Sequence, residues 1–317
     1  MNNNLKYVRT VYEKGSFSKA AQALYITQPA LSLAISKLEG EIGLPLFDRS
    51  QKPVELTEAG HIYLEKAEEI EALEREMNNQ LSDLRSLHSG HLCIGVTGYL
   101  ISFILPTVLH DFRKAYPGIE LKIAEAGSYE LKNLLLQKKV DLIFLSDTES
   151  FSEYRCIPVF QDHLLLALSK EHPIHEGLES LAFTSEDIVK GCHLHSQREN
   201  VDLRCFRDVP FLLLEPKYNL RRRTDSFFEE SGFLPRISME ATQMLSCYSL
   251  AKAGMGAAFI PDRMVSAGDH DILFYKIGLD QATRSMNLVM DKSRYVSLAI
   301  QHFTKMLTAY FKEDTQE

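Results

Sequence analysis

Apolar residues in the first sixty positions recur at helical spacing. Leu5, Val8, Val11 and Tyr12 lie three and four residues apart, which predicts a helix over 4–14, and Gly15 stops it. Ser16 or Ser18 can cap a short second helix over 19–24, whose Ala20-Ala21 pair lets a neighbouring helix approach closely. Thr27 is a good N-cap for a third helix, Pro29 sits in its first turn, and Gly43 ends it after about Ile42. The spacing predicts that Leu31, Ile35, Leu38 and Ile42 are buried. Two short helices joined by a tight turn, the second opening Thr-Gln-Pro-Ala-Leu-Ser, have helix-turn-helix geometry, and residues 45–56 then read as a small β-wing. Thr57-Glu58-Ala59-Gly60 opens a long helix predicted to run to about Leu87, before His88-Ser89-Gly90. Thirty residues at ~1.5 Å each would reach ~45 Å. Leu64, Ala67, Ile70, Leu73, Met77, Leu81 and Leu84 form one narrow stripe along it, which calls for a partner helix, so a dimer seam is expected.

From His91 the period changes. Short apolar runs at 92–96, 119–124 and 140–145 alternate with helical patterns at 102–116 and 129–138. Further strand-like runs follow at 156–160, 164–168, 211–214, 237–241, 257–260 and 288–290, with helices at 220–231, 244–253 and 295–311. This alternation predicts a mostly parallel sheet in two linked α/β subdomains. Residues 176–200 are polar and poorly periodic and read as a surface excursion.

Composition narrows the class without naming it. The 317 residues are 45% hydrophobic and 25% charged, ordinary for a soluble protein with two or three cores. No window approaches the roughly 18–20 continuous apolar residues that span a bilayer, and no apolar signal segment opens the sequence, so a cytoplasmic protein without a membrane partner is expected. Five scattered cysteines without CxxC spacing point to reduced thiols. The net charge of −8 argues against nucleic acid until its distribution is considered. Residues 1–60 hold seven Lys or Arg against six acids, so the acidic excess lies entirely in the remainder. An acidic body repels DNA everywhere except at the less negative end.

Specific residues then carry a resemblance. Gly15-Ser16-Phe17-Ser18-Lys19-Ala20-Ala21, Leu24, Thr27-Gln28-Pro29-Ala30-Leu31-Ser32, Ile35, Leu38-Glu39, Gly43, Leu46-Phe47, Arg49 and Leu56-Thr57-Glu58-Ala59-Gly60 together resemble the signature of LysR-type transcriptional regulators. The likeness continues through Leu105-Pro106, Tyr116-Pro117, Val140-Asp141-Leu142, His172-Pro173, Pro235-Arg236 and the run from Ala253 to Pro261. It implies a winged helix-turn-helix over residues 1–60, a linker and dimerisation helix over 57–88, and an effector domain over 91–317. That domain is expected to resemble type 2 periplasmic binding proteins. Its first subdomain would comprise 91–162 and 267–317, its second 163–266, with a ligand cleft between them. The resemblance also implies double-stranded promoter DNA as partner, a small-molecule effector, homotetramers, and no cofactor or catalytic residue.

The chemistry follows from these placements. Side chains near the N-terminus of a recognition helix reach base edges in the major groove. Gln28 can contact adenine bidentately, Ser32 a base or phosphate, and Pro29 and Ala30 the thymine methyl groups. Lys19, Lys37, Arg49 and Lys52 are candidate phosphate contacts. By resemblance, the effector site gathers Thr97, Tyr99, Ser128, Ser146, Asn219, Arg221, Thr242 and Gln243 at strand ends and helix starts, where free N–H groups favour polar or anionic ligands. Tyr99 could stack on a ring or fill the cavity. Arg221 is the member of Arg221-Arg222-Arg223 favoured as an anion clamp.

Rival readings rest on less. Nucleophile elbows, P-loops and zinc-binding His pairs are missing from the sequence, which disfavours an enzyme. A periplasmic solute receptor would need an export signal. Cys192, His193 and His195 form a loose metal-like group that reads as solvated loop, so no metal site is expected. Sensing of oxidants through Cys192 and Cys205, thirteen residues apart, is a third possibility; it requires cations near the thiols, for which His193, Arg204 and Arg207 are candidates.

Overall fold

The computed structural model describes residues 3–84, 90–146 and 153–313. The chain divides into two compact units, Met1–Leu84 and Arg85–Glu317. Among the described residues no helix is long and apolar enough to cross a membrane.

The first unit is built on three helices, α1 (Asn3–Lys14), α2 (Phe17–Ala23) and α3 (Gln28–Ile42). Val8, Val11, Ala20, Leu31, Ile35 and Leu46 are fully buried between them. Ser16 caps α2 by accepting from the Lys19 N–H, and Thr27 caps α3 by accepting from the Ala30 N–H. Gly15, at φ +57°, makes the break between α1 and α2; a Cβ there would lie 2.7 Å from the Pro53 Cβ. Ile42, expected in the core, is 38% exposed. α3 ends at that residue, Gly43 turns the chain at φ +80°, and Leu46 completes the core instead.

A two-stranded wing follows, β1 (Phe47–Asp48) antiparallel to β2 (Glu55–Leu56), and then α4 (Glu58–Asp83). Thr57 caps α4 through the Gly60 N–H at 3.0 Å and donates its hydroxyl to the Pro45 carbonyl at 2.6 Å. Gly60 is obligatory there, because a Cβ would meet the Leu46 carbonyl oxygen at 2.1 Å. At ~1.5 Å per residue α4 spans ~39 Å. The last residues of the helix expected from the sequence, 85–88, lie outside the described residues. Ile70, Leu73, Met77, Leu81 and Leu84 are each more than half exposed, so the predicted stripe is present and uncovered by this chain.

The second unit holds the α/β fold. β3 (Gly90–Val96), α5 (Pro106–Ala115), β4 (Ile119–Glu125), α6 (Ser128–Leu136), β5 (Leu142–Ser146), β6 (Tyr154–Ser169), β7 (Ala182–Phe183), α7 (Ser185–Val189) and α8 (Cys192–His195) make its first half. β8 (Pro210–Leu214), α9 (Asn219–Ser231), β9 (Arg236–Ala241), α10 (Met244–Lys252), β10 (Ala257–Pro261), β11 (Ile272–Lys276), β12 (Thr283–Asp291) and α11 (Leu298–Glu313) make the rest. The strand order β4-β3-β5-β12-β6-β10-β8-β9 alternates parallel pairs with an antiparallel centre. Leu92, Ile94 and Val96 face a layer holding Phe112 of α5 and Phe303 of α11, whose rings meet edge to face at 5.5 Å. Cys93 points the other way, to Leu131 and Leu135 of α6. Burial on both faces of β3 is what a covered parallel strand requires, but the sheet is mixed and not the mostly parallel one that the alternation predicted, because β5, β12, β6, β10, β11 and β7 pair antiparallel.

β6 joins the two halves. Tyr154–His163 pairs with β12, whereas Leu164–Ser169 pairs with β10 and β11. The chain therefore passes between subdomains at His163 and Leu164. It returns later than the sequence suggested: β11 pairs with the second half of β6 and with β7, so residues 272–276 belong with the second subdomain. An exposed-looking hairpin edge and a core strand have the same short apolar pattern, and only pairing separates them. The polar stretch 176–200 is also more ordered than expected, because Thr184 and Asp187 form a capping box that starts α7.

Candidate functional sites

In the first unit, Thr27 sets the start of α3 so that its opening residues project from the surface. Gln28, Pro29 and Ala30 are exposed and Ser32 is half-buried. Leu33 beside them is 72% exposed, an apolar contact available to the same partner. Lys19, Lys37, Arg49 and Lys52 are exposed as well. Glu39 organises this face: one oxygen accepts from the Leu46 and Phe47 N–H groups at 2.8 and 3.3 Å, and the other holds Arg49 at 2.8 Å. The Arg49 guanidinium also lies 5.0 Å from the Phe17 ring centroid, so it is held between Glu39 and that ring while its side chain stays partly exposed. Tyr25, unassigned by the sequence, stands in the turn between α2 and α3 at φ +55° with 96% of its surface exposed. A bulky left-handed residue held open to solvent is a feature only the backbone conformation reveals.

In the second unit a cavity of about 460 Å³ opens between the two subdomains. Thr97, Tyr99, Ser128 and Ser146 line it from the first, and Asn219, Thr242 and Gln243 from the second. The N-termini of α6, α9 and α10 all border it, and none carries a side-chain cap. Their unsatisfied N–H groups and helix dipoles give the cavity a positive polar surface. Its apolar wall includes Leu214, Met264 and Met286.

Arg221 does not join this set. Its guanidinium is 10% exposed and bonds Asp225 at 2.8 Å, Glu240 at 2.5 Å and the Leu214 carbonyl at 2.8 Å. At the first turn of α9 the helix phase directs it back over β8 and β9, so it braces the subdomain instead of facing the cavity. Of its neighbours, Arg223 reaches the Gln281 carbonyl and Arg222 bonds Asn219 at 3.2 Å.

A cation that does line the cavity is Arg284, which the sequence left unmarked. It holds Asp162 through Nε at 2.9 Å and Nη2 at 2.5 Å, and Asp162 also accepts from the Tyr99 hydroxyl at 2.9 Å. Asp162 is wholly buried. Burial raises its carboxyl above the ordinary range, with Arg284 opposing and Asp262 adding to the rise. Burial likewise pushes the Tyr99 phenol well up, so it stays a hydrogen-bond donor. Tyr99 thereby both fills the cavity wall and anchors it. Glu125 supplies a carboxylate to the rim.

The polar stretch contains one further surprise. His193 is buried and its Nε2 lies 3.0 Å from Asp262, whereas Cys192 and His195 are exposed. Residue 193 is therefore not solvated loop, because the short α8 turns its ring inward. Cys192 and Cys205 are both free and exposed.

Both units match family models, and the chain as a whole resembles known proteins. Residues 2–61 match the family model described as bacterial regulatory helix-turn-helix protein, lysR family, and residues 85–312 match LysR substrate binding domain. The uncharacterized HTH-type transcriptional regulator YcgK of Bacillus subtilis (strain 168) is 29% identical over 314 residues, covering 99% of this chain and 95% of that protein. A probable RuBisCO transcriptional regulator of Cyanophora paradoxa is 28% identical, covering 99% and 93%. The crystal structure of full-length CbnR complexed with its target DNA superposes with a TM-score of 0.66 at 21% identity, covering 97% of this chain and 98% of that one.

Proposed function

The chain belongs to the LysR family of bacterial transcriptional regulators, and from that premise we propose how its two sites divide the work. It is a DNA-binding regulator with an effector-binding domain, and the relatives it resembles are regulators, not enzymes. Gln28 and Ser32 read base edges in the major groove, with Pro29 and Ala30 against thymine methyls. Lys19, Lys37, Arg49 and Lys52 hold phosphates and fix the register. The protein acts in the cytoplasm.

The effector enters the cavity between the subdomains of the second unit. The observation that carries this is the convergence of seven residues, from Thr97 to Gln243, on one space of about 460 Å³. That volume suits a small metabolite. Three uncapped helix N-termini favour an anionic or strongly polar group on it. Glu125 favours a hydrogen-bond donor elsewhere on the same molecule. Two chains pair through the α4 stripe, whose apolar residues otherwise face water, and pairs assemble into tetramers.

The test is a thermal-shift survey of the full-length protein with small carboxylates and polar metabolites. A ligand at 100 times its Kd adds ~2.7 kcal/mol of stability, enough for a clear rise in Tm. The rise should shrink in Ser128→Ala and Gln243→Ala and persist in Arg221→Ala. A rise unaffected by either cavity variant places the ligand elsewhere.

A further inference from the structure

Behind the effector cavity, three side chains from separate segments converge. His163 lies where β6 passes between subdomains, His193 lies on α8, and Asp262 opens the short turn after β10. Their donor atoms all fall within 4.8 Å of one another. One Asp262 oxygen, Oδ2, is 3.1 Å from His163 Nδ1 and 3.0 Å from His193 Nε2. We propose that these three residues bind one borderline divalent transition-metal ion of the zinc class.

The donor set fits that chemistry. Two imidazoles and a carboxylate are the ligands of zinc sites that keep a fourth position open, whereas magnesium and calcium take oxygen donors. At metal–ligand distances of ~2.0–2.1 Å, tetrahedral donors stand ~3.3 Å apart, so the two Asp262–imidazole spacings need only open slightly. The carboxylate is already oriented: Asp262 Oδ1 accepts from the Arg263 N–H at 2.9 Å and the His163 N–H at 3.4 Å, which leaves Oδ2 facing both rings. Such outer contacts are what position a metal ligand. Asp262 and His193 are buried, while His163 is 27% exposed. His163 also borders two surface cavities of about 400 and 500 Å³, which give an ion a way in and a water the fourth place. The His193 Nδ1 is buried without a hydrogen-bond partner, so the ring is held in place from the Asp262 side.

The position suggests what the ion would do. Successive residues of a strand face opposite ways. Asp162 holds Tyr99 and Arg284 at the effector cavity, and His163, the next residue, holds the ion on the other side. Metal binding would pin β6 to the end of β10 at the crossing between subdomains.

The experiment strips the full-length chain with a chelator and titrates it with Zn(II) against a chromophoric competitor. One tight ion per chain is expected, unchanged by a large excess of Mg(II). Affinity should fall at least about 100-fold in His193→Ala and Asp262→Asn, beyond the ~10–100-fold typical of outer contacts. His195→Ala and Cys192→Ser should bind as the parent does. Co(II) should give visible d–d bands without thiolate charge transfer. Because His193 and Asp262 are buried, partly exposed His163→Ala, checked by circular dichroism for an intact fold, decides the matter. Unaltered binding in that variant, no stoichiometric site in the parent, or a cysteine-ligated spectrum would each overturn the site and leave a plain hydrogen-bonded cluster.

Discussion

The proposed DNA-reading face and the proposed effector cavity are built on opposite plans. Gln28, Pro29, Ala30 and Ser32 lie within about one helical turn, the first three exposed and Ser32 half-buried, and depend on local devices: the Thr27 cap, the Gly15 break and the Glu39 brace. The cavity draws its lining from Thr97 to Met286, and no single segment supplies even half of it. Its shape depends on buried polar anchors, above all the Asp162–Arg284 pair. Exposed local sites tolerate substitution and lose only contacts, whereas a dispersed site fails when its scaffold fails.

That contrast can be broken by experiment, and the largest effect belongs to the scaffold. Arg284→Ala strands the buried Asp162 carboxylate and should destabilise the second unit by about 3–5 kcal/mol, seen as a lower denaturation midpoint. A loss below 1 kcal/mol would show that the pair is not an anchor.

A second scaffold position sharpens the comparison through pH. Burial pushes the Asp141 carboxyl up, but His91, the Cys93 N–H and Arg294 more than offset it and leave it below the usual carboxylate range. A depressed acid contributes stability that is complete above its unfolded pKa of ~3.9 and is lost as pH falls through the folded value. Asp141→Asn should therefore cost about 2 kcal/mol at neutral pH and flatten the decline in stability below pH 4. An equally steep decline in the variant would assign acid sensitivity to other groups.

At the local site, Gln28→Ala should weaken binding to the cognate duplex by about 1–2 kcal/mol and relax base preference at one position, without altering Tm. A matching loss on every duplex would make Gln28 a backbone contact. The smallest effect is expected of Lys37→Ala: a uniform weakening on all sequences and a log–log salt slope shallower by about 1. An unchanged slope would return Lys37 to solvent.

The same contrast governs what could be read from the chain beforehand. The helix-turn-helix was legible because caps, breaks and apolar spacing are adjacent in sequence, and Ser16, Thr27, Gly43 and Thr57 all act locally. Ile42 was misjudged because periodicity cannot tell where a core stops. In the cavity, polar residues at helix starts were legible, since strand-to-helix junctions mark themselves. Arg221 was misplaced and Arg284 overlooked because the direction of a long side chain depends on partners such as Glu240 and Asp162, remote in sequence. His193 was discounted for the same reason: its partners His163 and Asp262 are thirty and sixty-nine positions away.

The most direct measurement of the central claim is fluorescence anisotropy of the full-length protein on the duplex upstream of its own gene, beside a scrambled duplex, across a salt series. The account predicts tight binding to the native duplex alone, lost in Gln28→Ala and Ser32→Ala while both variants stay folded. Equal, weak binding to both duplexes, indifferent to those substitutions, would contradict it.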